Sequence, residues 1–283
     1  MIKNLVLEGG GVKGVAYAGA YKALTELGLL NNLEKVAGAS VGSIAALIIS
    51  LGYSPDEMKS IIWGLDFTKF KDSWLPFRIL TKYGLYKGDY ALKWIESLVY
   101  KATGKKNATF SDLKGKYKDL HVVACDLNTK SLIDFCLDNT PNVIVSEAVR
   151  CSMSIPILFD AFRLTSGYTN HLFVDGGLVW NLPLEIFDIE DDNPETLGIA
   201  LWDYNGAGSA DALDYGSFFK YIGALLSTIS RSQSSRIEYL RDEMFRIIKI
   251  DDFGISSTDF KISDENKQNL FESGFSYTKN HFD

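Results

Sequence analysis

The feature that most constrains the fold is a Gly-x-Ser-x-Gly pattern at residues 38–42, which stands between a short apolar run and a longer one. Residues 35–39 predict a buried strand, whereas the apolar residues 43–49 continue too far for a typical strand and predict a helix. Ser40 then lies at a sharp turn, where the flanking glycines let the backbone turn tightly. This geometry suits a nucleophile, and a turn serine without chemistry is an alternative of equal weight at this point.

A second glycine-rich stretch, GGGVKG at residues 9–14, follows a predicted strand over residues 2–8 and opens a predicted helix. Its spacing matches a dinucleotide-binding turn, but the acidic residue that such a unit needs is absent where the next strand ends, at Ala39. A Walker pattern is excluded because Gly14 follows Lys13. What remains is a loop of backbone amides at a helix N-terminus, which can bind an anion. Beside a reactive serine, that anion is a tetrahedral oxyanion.

Asp175 is the third candidate, a carboxylate that follows a short apolar run and precedes two glycines. The histidines of the chain are His121, His171 and His281. The first lies in a predicted strand, the second at a strand or loop edge, and the third near the C-terminus, where fraying is the default. Direct proton transfer from Ser40 to Asp175 is therefore a better hypothesis than a Ser-His-Asp triad. A structural Asx turn is the alternative for Asp175.

Together, the three motifs resemble those of the patatin-like phospholipase family, in the family's order and spacing. The resemblance covers residues 3–184 and implies an α/β fold, a three-layer α/β/α domain with a mainly parallel central sheet. It also implies a Ser-Asp dyad that hydrolyses acyl esters of lipids through an acyl-serine intermediate. The site residues that it implies are Ser40 and Asp175 as the catalytic pair, Gly9, Gly10, Gly11 and Gly14 in the oxyanion loop, with Gly10 and Gly11 as its donors, and Gly38 and Gly42 in the nucleophile motif.

The activity implied is that of a lipid acyl hydrolase of the phospholipase A or lysophospholipase type, which acts on phospholipid or another acyl lipid. We expect no metal and no cofactor, because no cluster of His, Cys and carboxylate residues has ligand spacing. One alternative is an α/β-hydrolase-type esterase with a Ser40-Asp175-His281 triad. Its chain order fits, but several strands normally precede the nucleophile in that fold. Another alternative is a lipid-binding or storage protein that keeps the fold without catalysis.

Composition bears on the domain organisation and the partners. With 283 residues and 46% hydrophobic content, the chain predicts a single domain over residues 1–283. The motifs occupy residues 3–184 of it, and a family-variable part follows at residues 185–283. The net charge of -7 argues against nucleic acid as a partner and gives anionic membranes no general attraction. Without a signal peptide or transmembrane stretch in the sequence, we predict a cytoplasmic or peripheral membrane protein, with signal-independent secretion as an alternative.

One segment, residues 63–87, departs from this acidic average. It interleaves aromatic rings, Trp74 and Phe77 among them, with five basic and two acidic side chains. An interfacial lid that contacts lipid phosphates is one interpretation, and it makes this segment a peripheral membrane contact. A satellite core beneath a long loop has equal weight.

Helix and strand signals elsewhere complete the prediction. A capping box begins a helix at Ser54, and Ser263 begins a final amphipathic helix. Residues 196–202 and 245–250 predict two further buried strands, and residues 217–241 predict a helix between them.

Overall fold

The structure, a computed structural model, describes residues 1–73, 78–188, 193–204 and 245–283, together with positions 221, 225, 228, 229 and 232. The strands in this part are β1 (Asn4–Leu7), β2 (Lys35–Ala39), β3 (Gly84–Tyr86), β4 (Asp119–Asp126), β5 (Ser131–Phe135), β6 (Ile157–Phe159), β7 (Phe173–Asp175), β8 (Thr196–Trp202) and β9 (Ile247–Asp251). The α-helices in the four continuous ranges are α1 (Ala16–Glu26), α2 (Val41–Ser50), α3 (Pro55–Trp63), α4 (Arg78–Lys82), α5 (Asp89–Thr103), α6 (Phe110–Leu113), α7 (Val145–Ser152) and α8 (Asp264–Phe282). The predicted helix over residues 217–241 lies outside the continuous ranges, as do Trp74 and Phe77.

A mixed, mostly parallel sheet with flanking helices forms the centre of the molecule, as the sequence predicts. Its strand order is β5-β4-β2-β1-β8-β9. The four contacts between neighbours from β4 to β9 are parallel, whereas β5 and β7 pair antiparallel with β4. Two short strands, β3 and β6, pair in parallel and form a separate two-stranded sheet. Because the central strands run in one direction, the loops that follow β1 and β2 leave the sheet at the same edge.

β2 and β7 lie end to end along the same side of β4. Ala39, the last residue of β2, is the partner of Val123, and Asp175, the last residue of β7, is the partner of Ala124. β5 occupies the opposite side of β4. Because β2 runs parallel and β7 antiparallel to β4, their carboxyl ends point toward each other. Ser40, the first residue after β2, therefore lies next to Asp175, the last residue of β7.

Alternation of side chains along the strands divides the core between the two faces of the sheet. On one face, Leu5 and Leu7 of β1 join a large core with residues of α1, α2, α3, α7 and α8. On the other face, Val6 joins a smaller core with the 3₁₀ segment Leu184–Phe187. In the part of the chain that the structure describes, no helix is both long enough and apolar enough to span a bilayer.

Two helices begin at the caps that the sequence predicts. The Ser54 hydroxyl accepts a hydrogen bond from the Glu57 amide, and the Glu57 carboxylate accepts one from the Ser54 amide, so a capping box starts α3. At the start of α8, the Ser263 hydroxyl accepts from the Asn266 amide. Both caps satisfy amides that the first turn of a helix cannot pair internally.

The aromatic segment over residues 63–87 packs largely inward in its described part. Phe70 and Tyr86 are buried in a small separate core. Leu80 and Tyr83, by contrast, are 80% and 58% exposed. The buried rings correspond to the satellite core, the second of the two sequence interpretations. Apolar side chains reach solvent at α4 and the turn after it.

The part of the chain after residue 185 extends the same sheet and core. β8 and β9 continue the sheet beyond β1, and α8 packs along α1. The two helices meet at glycines. A Cβ atom at Gly19 would lie 1.9 Å from the Phe271 carbonyl oxygen, and one at Gly274 would lie 2.0 Å from the Ala16 carbonyl oxygen. The backbones of α1 and α8 are therefore in direct contact at this crossing.

We predict that Gly274→Ala lowers the melting temperature by several degrees, because the added methyl group forces α1 and α8 apart. Overpacking of this kind costs about 1–3 kcal/mol, and each kcal/mol corresponds to roughly 2–4 °C in a chain of this size. Gly64→Ala is the matched control, because a Cβ atom there would lie 3.2 Å from its nearest neighbour, the Ser60 carbonyl oxygen. Equal melting temperatures for the two variants in a thermal unfolding scan would contradict the close crossing.

Candidate active site

Ser40 lies in a strained turn between β2 and α2. Its backbone angles are φ 51° and ψ −126°, a conformation that residues other than glycine rarely adopt. Strand and helix approach so closely that a Cβ atom at Gly38 would lie 2.3 Å from the Gly42 carbonyl oxygen. One at Gly42 would lie 2.2 Å from the Leu7 carbonyl oxygen. The turn therefore requires both glycines of the pattern, and it leaves Ser40 at the N-terminus of α2, where the helix dipole favours negative charge.

The side chains of Ser40 and Asp175 are in direct contact. The Ser40 hydroxyl donates to Asp175 Oδ2 over 2.6 Å, and the Gly177 amide donates to Asp175 Oδ1 over 2.7 Å. Both residues are buried, with exposed fractions of 7% and 5%. Burial raises the pKa of Asp175 from 3.8 to about 6, and the two hydrogen bonds only partly oppose this. The group is therefore ionised at neutral pH, yet it is a stronger base than an exposed aspartate.

The last residue of α7 and the turn after it hold Ser40 and Asp175 through two serines. The Ser40 amide donates to Ser152 Oγ over 2.8 Å, and this hydroxyl donates to the Val123 carbonyl over 2.6 Å. The Asp175 amide donates to the Ser154 carbonyl over 3.0 Å. Ser152 thus bridges the break between the facing ends of β2 and β7, where it satisfies a buried backbone amide and a buried carbonyl.

The glycine-rich loop after β1 lines the same pocket as Ser40, through Gly11, Val12 and Gly14. The Val12 amide donates to the Ser257 carbonyl over 3.0 Å. The preceding amides, those of Gly10 and Gly11, have no hydrogen-bond acceptor within the described ranges. Gly11 has a φ of +59°, and a Cβ atom there would lie 1.9 Å from the Ser257 carbonyl oxygen. Two adjacent amide donors of this kind can hold an oxyanion.

The outer glycines of the loop are sites of close packing. A Cβ atom at Gly9 would lie 2.5 Å from Asn181 Oδ1 and 3.2 Å from Ser40 Cβ, and one at Gly14 would lie 2.6 Å from Val41 Cγ2. The loop is thereby held between α2 on one side and the chain that follows Asp175 on the other. The structure brings all the residues of the three predicted motifs into one region.

An apolar pocket begins at Ser40 and extends along α2. The empty space in it amounts to about 720 Å³, a volume that includes open solvent at its mouth. Its lining includes Ile44, Ile48, Met58, Phe70, Phe159 and Phe260. The last of these comes from the segment before α8, and its ring stacks on that of Phe70 with centroids 6.4 Å apart. Such walls suit a hydrocarbon chain.

The histidines lie elsewhere. His121 and His171 each pair with an aspartate through Nδ1, and neither those bonds nor the others in the described ranges link a histidine to Ser40 or Asp175. His281 lies near the end of α8 in a separate cleft beside β9. β1 and β8 separate β9 from β2 in the sheet. The structure therefore does not assemble the alternative triad with His281.

One group in the described ranges has the composition of a metal site. The ligand atoms of His121, Asp134 and Cys136 lie within 4.8 Å of one another. His121 Nδ1 and Asp134 Oδ2 are 2.9 Å apart, and burial together with the charge of Asp134 raises the pKa of the Cys136 thiol to about 12. A hydrogen-bonded His-Asp pair beside a neutral thiol accounts for these contacts. None of the three residues lines the pocket at Ser40.

Sequence reasoning does not identify four residues of this site, Ser152, Asn181, Ser257 and Phe260. Asn181 carries a usable signal, since it is an amide within the mostly apolar run that follows Asp175. Ser152 looks like any serine in a helix. The last two are more than two hundred residues from Ser40 along the chain, and only the folded structure brings them to it.

A family model described as patatin-like phospholipase matches residues 5–188, a range that contains Ser40, Asp175 and the glycine-rich loop. The chain belongs to this family, and the resemblance of its motifs is confirmed. The family places the protein in the class of lipid hydrolases.

Two curated relatives show how far the similarity extends. An uncharacterised protein of Acanthamoeba polyphaga mimivirus is 35% identical over 290 residues, which cover 98% of this chain and 93% of the relative. The probable lipid hydrolase 463L of Invertebrate iridescent virus 6 is 28% identical over 187 residues, which cover 65% of this chain and 62% of that protein.

Among solved structures, VipD from Legionella pneumophila superposes with a TM-score of 0.65 at 22% identity. The match covers 99% of this chain and 66% of the VipD chain. At this level of identity, the similarity supports the fold, an α/β domain of the patatin-like type.

We predict that Asp175→Asn gains stability relative to the wild type as the pH rises from 4.5 to 7.5. The unfolded chain ionises this group near 3.8 and the folded protein near 6, so ionisation costs stability as the pH rises, by about 2 kcal/mol between pH 4.5 and 7.5. The asparagine variant escapes this loss. Melting temperatures at the two pH values measure it, with the exposed Asp119→Asn as the control for removal of one charge. A difference between Asp175→Asn and wild type that stays constant with pH would show that the fold does not penalise the ionised form.

Proposed function

We propose that this protein hydrolyses carboxylic esters of acyl lipids, in the manner of a phospholipase A or a lysophospholipase, with Ser40 as nucleophile and Asp175 as general base. The observation that carries the proposal is the 2.6 Å hydrogen bond between the Ser40 hydroxyl and the buried Asp175 carboxylate, beside an apolar pocket. A nucleophile within hydrogen-bond reach of its base is the signature of covalent catalysis.

In the first step, Ser40 Oγ attacks the carbonyl carbon of the ester while Asp175 Oδ2 accepts the hydroxyl proton. The tetrahedral intermediate then collapses with cleavage of the bond to the alcohol oxygen, and Asp175 returns the proton to the departing alkoxide. This step leaves an acyl group on Ser40 and releases the alcohol. The raised pKa of Asp175, about 6, supports both transfers, because the group is ionised at neutral pH and accepts a proton more readily than an exposed aspartate.

The negative charge of the intermediate falls on the former carbonyl oxygen. The amides of Gly10 and Gly11 are its proposed donors, and the N-terminus of α2 adds a favourable dipole. Because neither amide has another acceptor in the described ranges, neither has to break a hydrogen bond as the charge forms. A donor of this kind typically contributes about 10²–10³ in kcat.

Water completes the cycle. Asp175 accepts a proton from a water molecule as its oxygen attacks the acyl carbonyl, and the second tetrahedral intermediate collapses with release of Ser40 Oγ. The serine oxygen regains a proton from Asp175, and a fatty acid leaves. No step uses a histidine, in agreement with the hydrogen bonds of the described ranges, none of which joins a histidine to Ser40 or Asp175.

The pocket supports an acyl chain as the recognised part of the substrate. Its walls carry no charged side chain among the described residues that line it, and Ile48 and Met58 are fully buried along its length. Transfer of a hydrocarbon chain into such a site is worth about 0.8 kcal/mol for each CH₂ group buried. The name of the iridescent virus relative, a probable lipid hydrolase, agrees with this class of substrate.

We predict that Ser40→Ala and Asp175→Asn each abolish hydrolysis of a chromogenic acyl ester and that the double variant is hardly worse than either single one. Both residues act in one proton transfer, so their losses are not additive.

An organophosphonate probe should label the wild type at Ser40. Failure of labelling would support a binding or storage protein, and full activity in Asp175→Asn would show that another group is the base. His281→Ala tests the alternative triad and should stay active.

We propose further that the protein acts at a lipid surface as a peripheral protein and that α4, with the turn after it, makes the contact. Leu80 and Tyr83 are largely exposed there, and Lys82 lies between them. Exposed apolar side chains beside a cation can enter the headgroup region of a membrane while the charge remains near phosphate. This narrows the proposed contact from residues 63–87 to α4 and its following turn.

We predict that joint replacement of Leu80 and Tyr83 by Ser lowers turnover of phospholipid vesicles about fivefold or more, because a buried side chain of this size is worth about 1.5–3 kcal/mol. Turnover of a soluble short-chain ester should stay within about twofold of the wild type. Phe245→Ser, at a residue that is 87% exposed elsewhere on the surface, is the matched control. Equal losses on vesicles and on the soluble ester, or an equal loss in the control, would contradict this contact.

A further inference from the structure

Glu8 is a buried carboxylate at the end of β1, directly before the glycine-rich loop. Its exposed fraction is 2%, and its two oxygens accept hydrogen bonds from different parts of the chain. The Asn181 side-chain amide donates to Oε1 over 2.8 Å, and the Leu201 amide of β8 donates to Oε2 over 2.7 Å. Since a buried carboxylate is costly unless it is hydrogen-bonded, these donors fix its position.

Asn181 joins the glycine-rich loop to the chain after Asp175. Its side-chain amide also donates to the Gly9 carbonyl over 3.3 Å, and its main-chain carbonyl accepts from the Gly9 amide over 3.0 Å. Asn181 Oδ1 would lie 2.5 Å from a Cβ atom at Gly9 and 2.6 Å from one at Gly177. The Asn181 side chain therefore packs between Gly9 and Gly177, and the amide of Gly177 is the one that donates to Asp175.

We propose that Glu8 and Asn181 form a positioning pair that sets the amides of Gly10 and Gly11 relative to Asp175, so that the oxyanion donors and the base act on the same ester group. The proposal rests on the function proposed above and adds two residues to it. Neither residue touches the substrate, and both act through the loop and Gly177. Because a shift of about 1 Å in a positioned group can cost about 10² in rate, the pair should govern turnover more than binding.

A purely structural role for Asn181 has to be separated from positioning, and Asn4 supplies the matched control. Asn4 is the first residue of β1, at the end of the strand away from the loop. It has the same exposed fraction as Asn181, 6%, and its side-chain amide donates to Thr196 Oγ1 over 3.0 Å. Replacement by alanine removes the same buried side chain in each case, but only Asn181 adjoins the proposed donors.

We expect Asn181→Ala to lower kcat on a soluble ester about tenfold to a hundredfold, with KM within about threefold of the wild type. Affinity for an acyl trifluoromethyl ketone, which forms a tetrahedral adduct with a serine nucleophile, should fall by a similar factor because the adduct uses the same oxyanion donors. Asn4→Ala should lower the melting temperature to a similar extent and leave kcat unchanged. Equal losses of kcat in the two variants would overturn the positioning role.

Reversal of the polarity of the pair gives a second test. Asn181→Asp places two carboxylates together, and Glu8→Gln removes one acceptor, so each single change should lower kcat. In the double variant, the new amide at position 8 donates to the new carboxylate at position 181 and its oxygen still accepts from Leu201. The double variant should recover kcat about tenfold or more over Asn181→Asp, as expected for directly coupled residues. A double variant no more active than Asn181→Asp would refute the pairing.

Hydrogen exchange separates this inference from the proposed function. The Gly9 amide, which donates to the main-chain carbonyl of Asn181, should exchange faster in Asn181→Ala than in the wild type or in Asn4→Ala, because the variant loses the side-chain hydrogen bonds to Glu8 and to the Gly9 carbonyl that hold this part of the loop. If the wild type hydrolyses no ester but exchange rises in this way, the proposed function fails and the control of the loop by Asn181 stands. If the wild type is active and Asn181→Ala changes neither kcat nor exchange, the inference fails and the function stands.

Discussion

β2 and β7 share one side of β4 and run toward each other, and this arrangement governs the geometry of the site. Their last residues occupy neighbouring positions along β4, so the chain that leaves each strand must turn away at once. A side chain would block the turn after β7. A Cβ atom at Gly176 would lie 2.2 Å from the Val123 carbonyl oxygen, which leaves space only for glycine after Asp175. Ser152 then fills the break between the strands with one hydroxyl.

The same arrangement makes the contact between Ser40 and Asp175 costly for the fold. Ser40 adopts a backbone conformation that residues other than glycine rarely adopt, and Asp175 carries its charge in a buried position with two hydrogen bonds. Burial outweighs those bonds, because the pKa of Asp175 still rises to about 6. A third bond to the carboxylate would stabilise the ionised form and weaken the base. Stability and the proposed chemistry therefore oppose each other at this residue.

The sequence reveals those parts of the fold and site that depend on neighbouring residues. Short local motifs predict the turn at Ser40 and the cap at Ser54, and the order of strands and helices predicts the parallel sheet. Long-range contacts leave no such pattern. Nothing near Ser152 marks it as the residue that bridges two strand ends, and Phe260 reaches the pocket from the segment between β9 and α8, far along the chain from Ser40. The aromatic segment was ambiguous because burial of a ring depends on partners that are distant in sequence.

The match to the family ends at residue 188, yet the site does not. Lys13 of the glycine-rich loop forms an ion pair with the buried Asp252, and the Ser257 carbonyl accepts the amide of Val12. Phe260 closes the pocket against Phe70. The segment that contains Asp252, Ser257 and Phe260 thus holds the loop of the proposed oxyanion donors in place and forms one wall of the pocket for the acyl chain. Relatives that share the motifs can therefore differ in substrate through this segment, because changes there reshape the pocket without contact to Ser40 or Asp175.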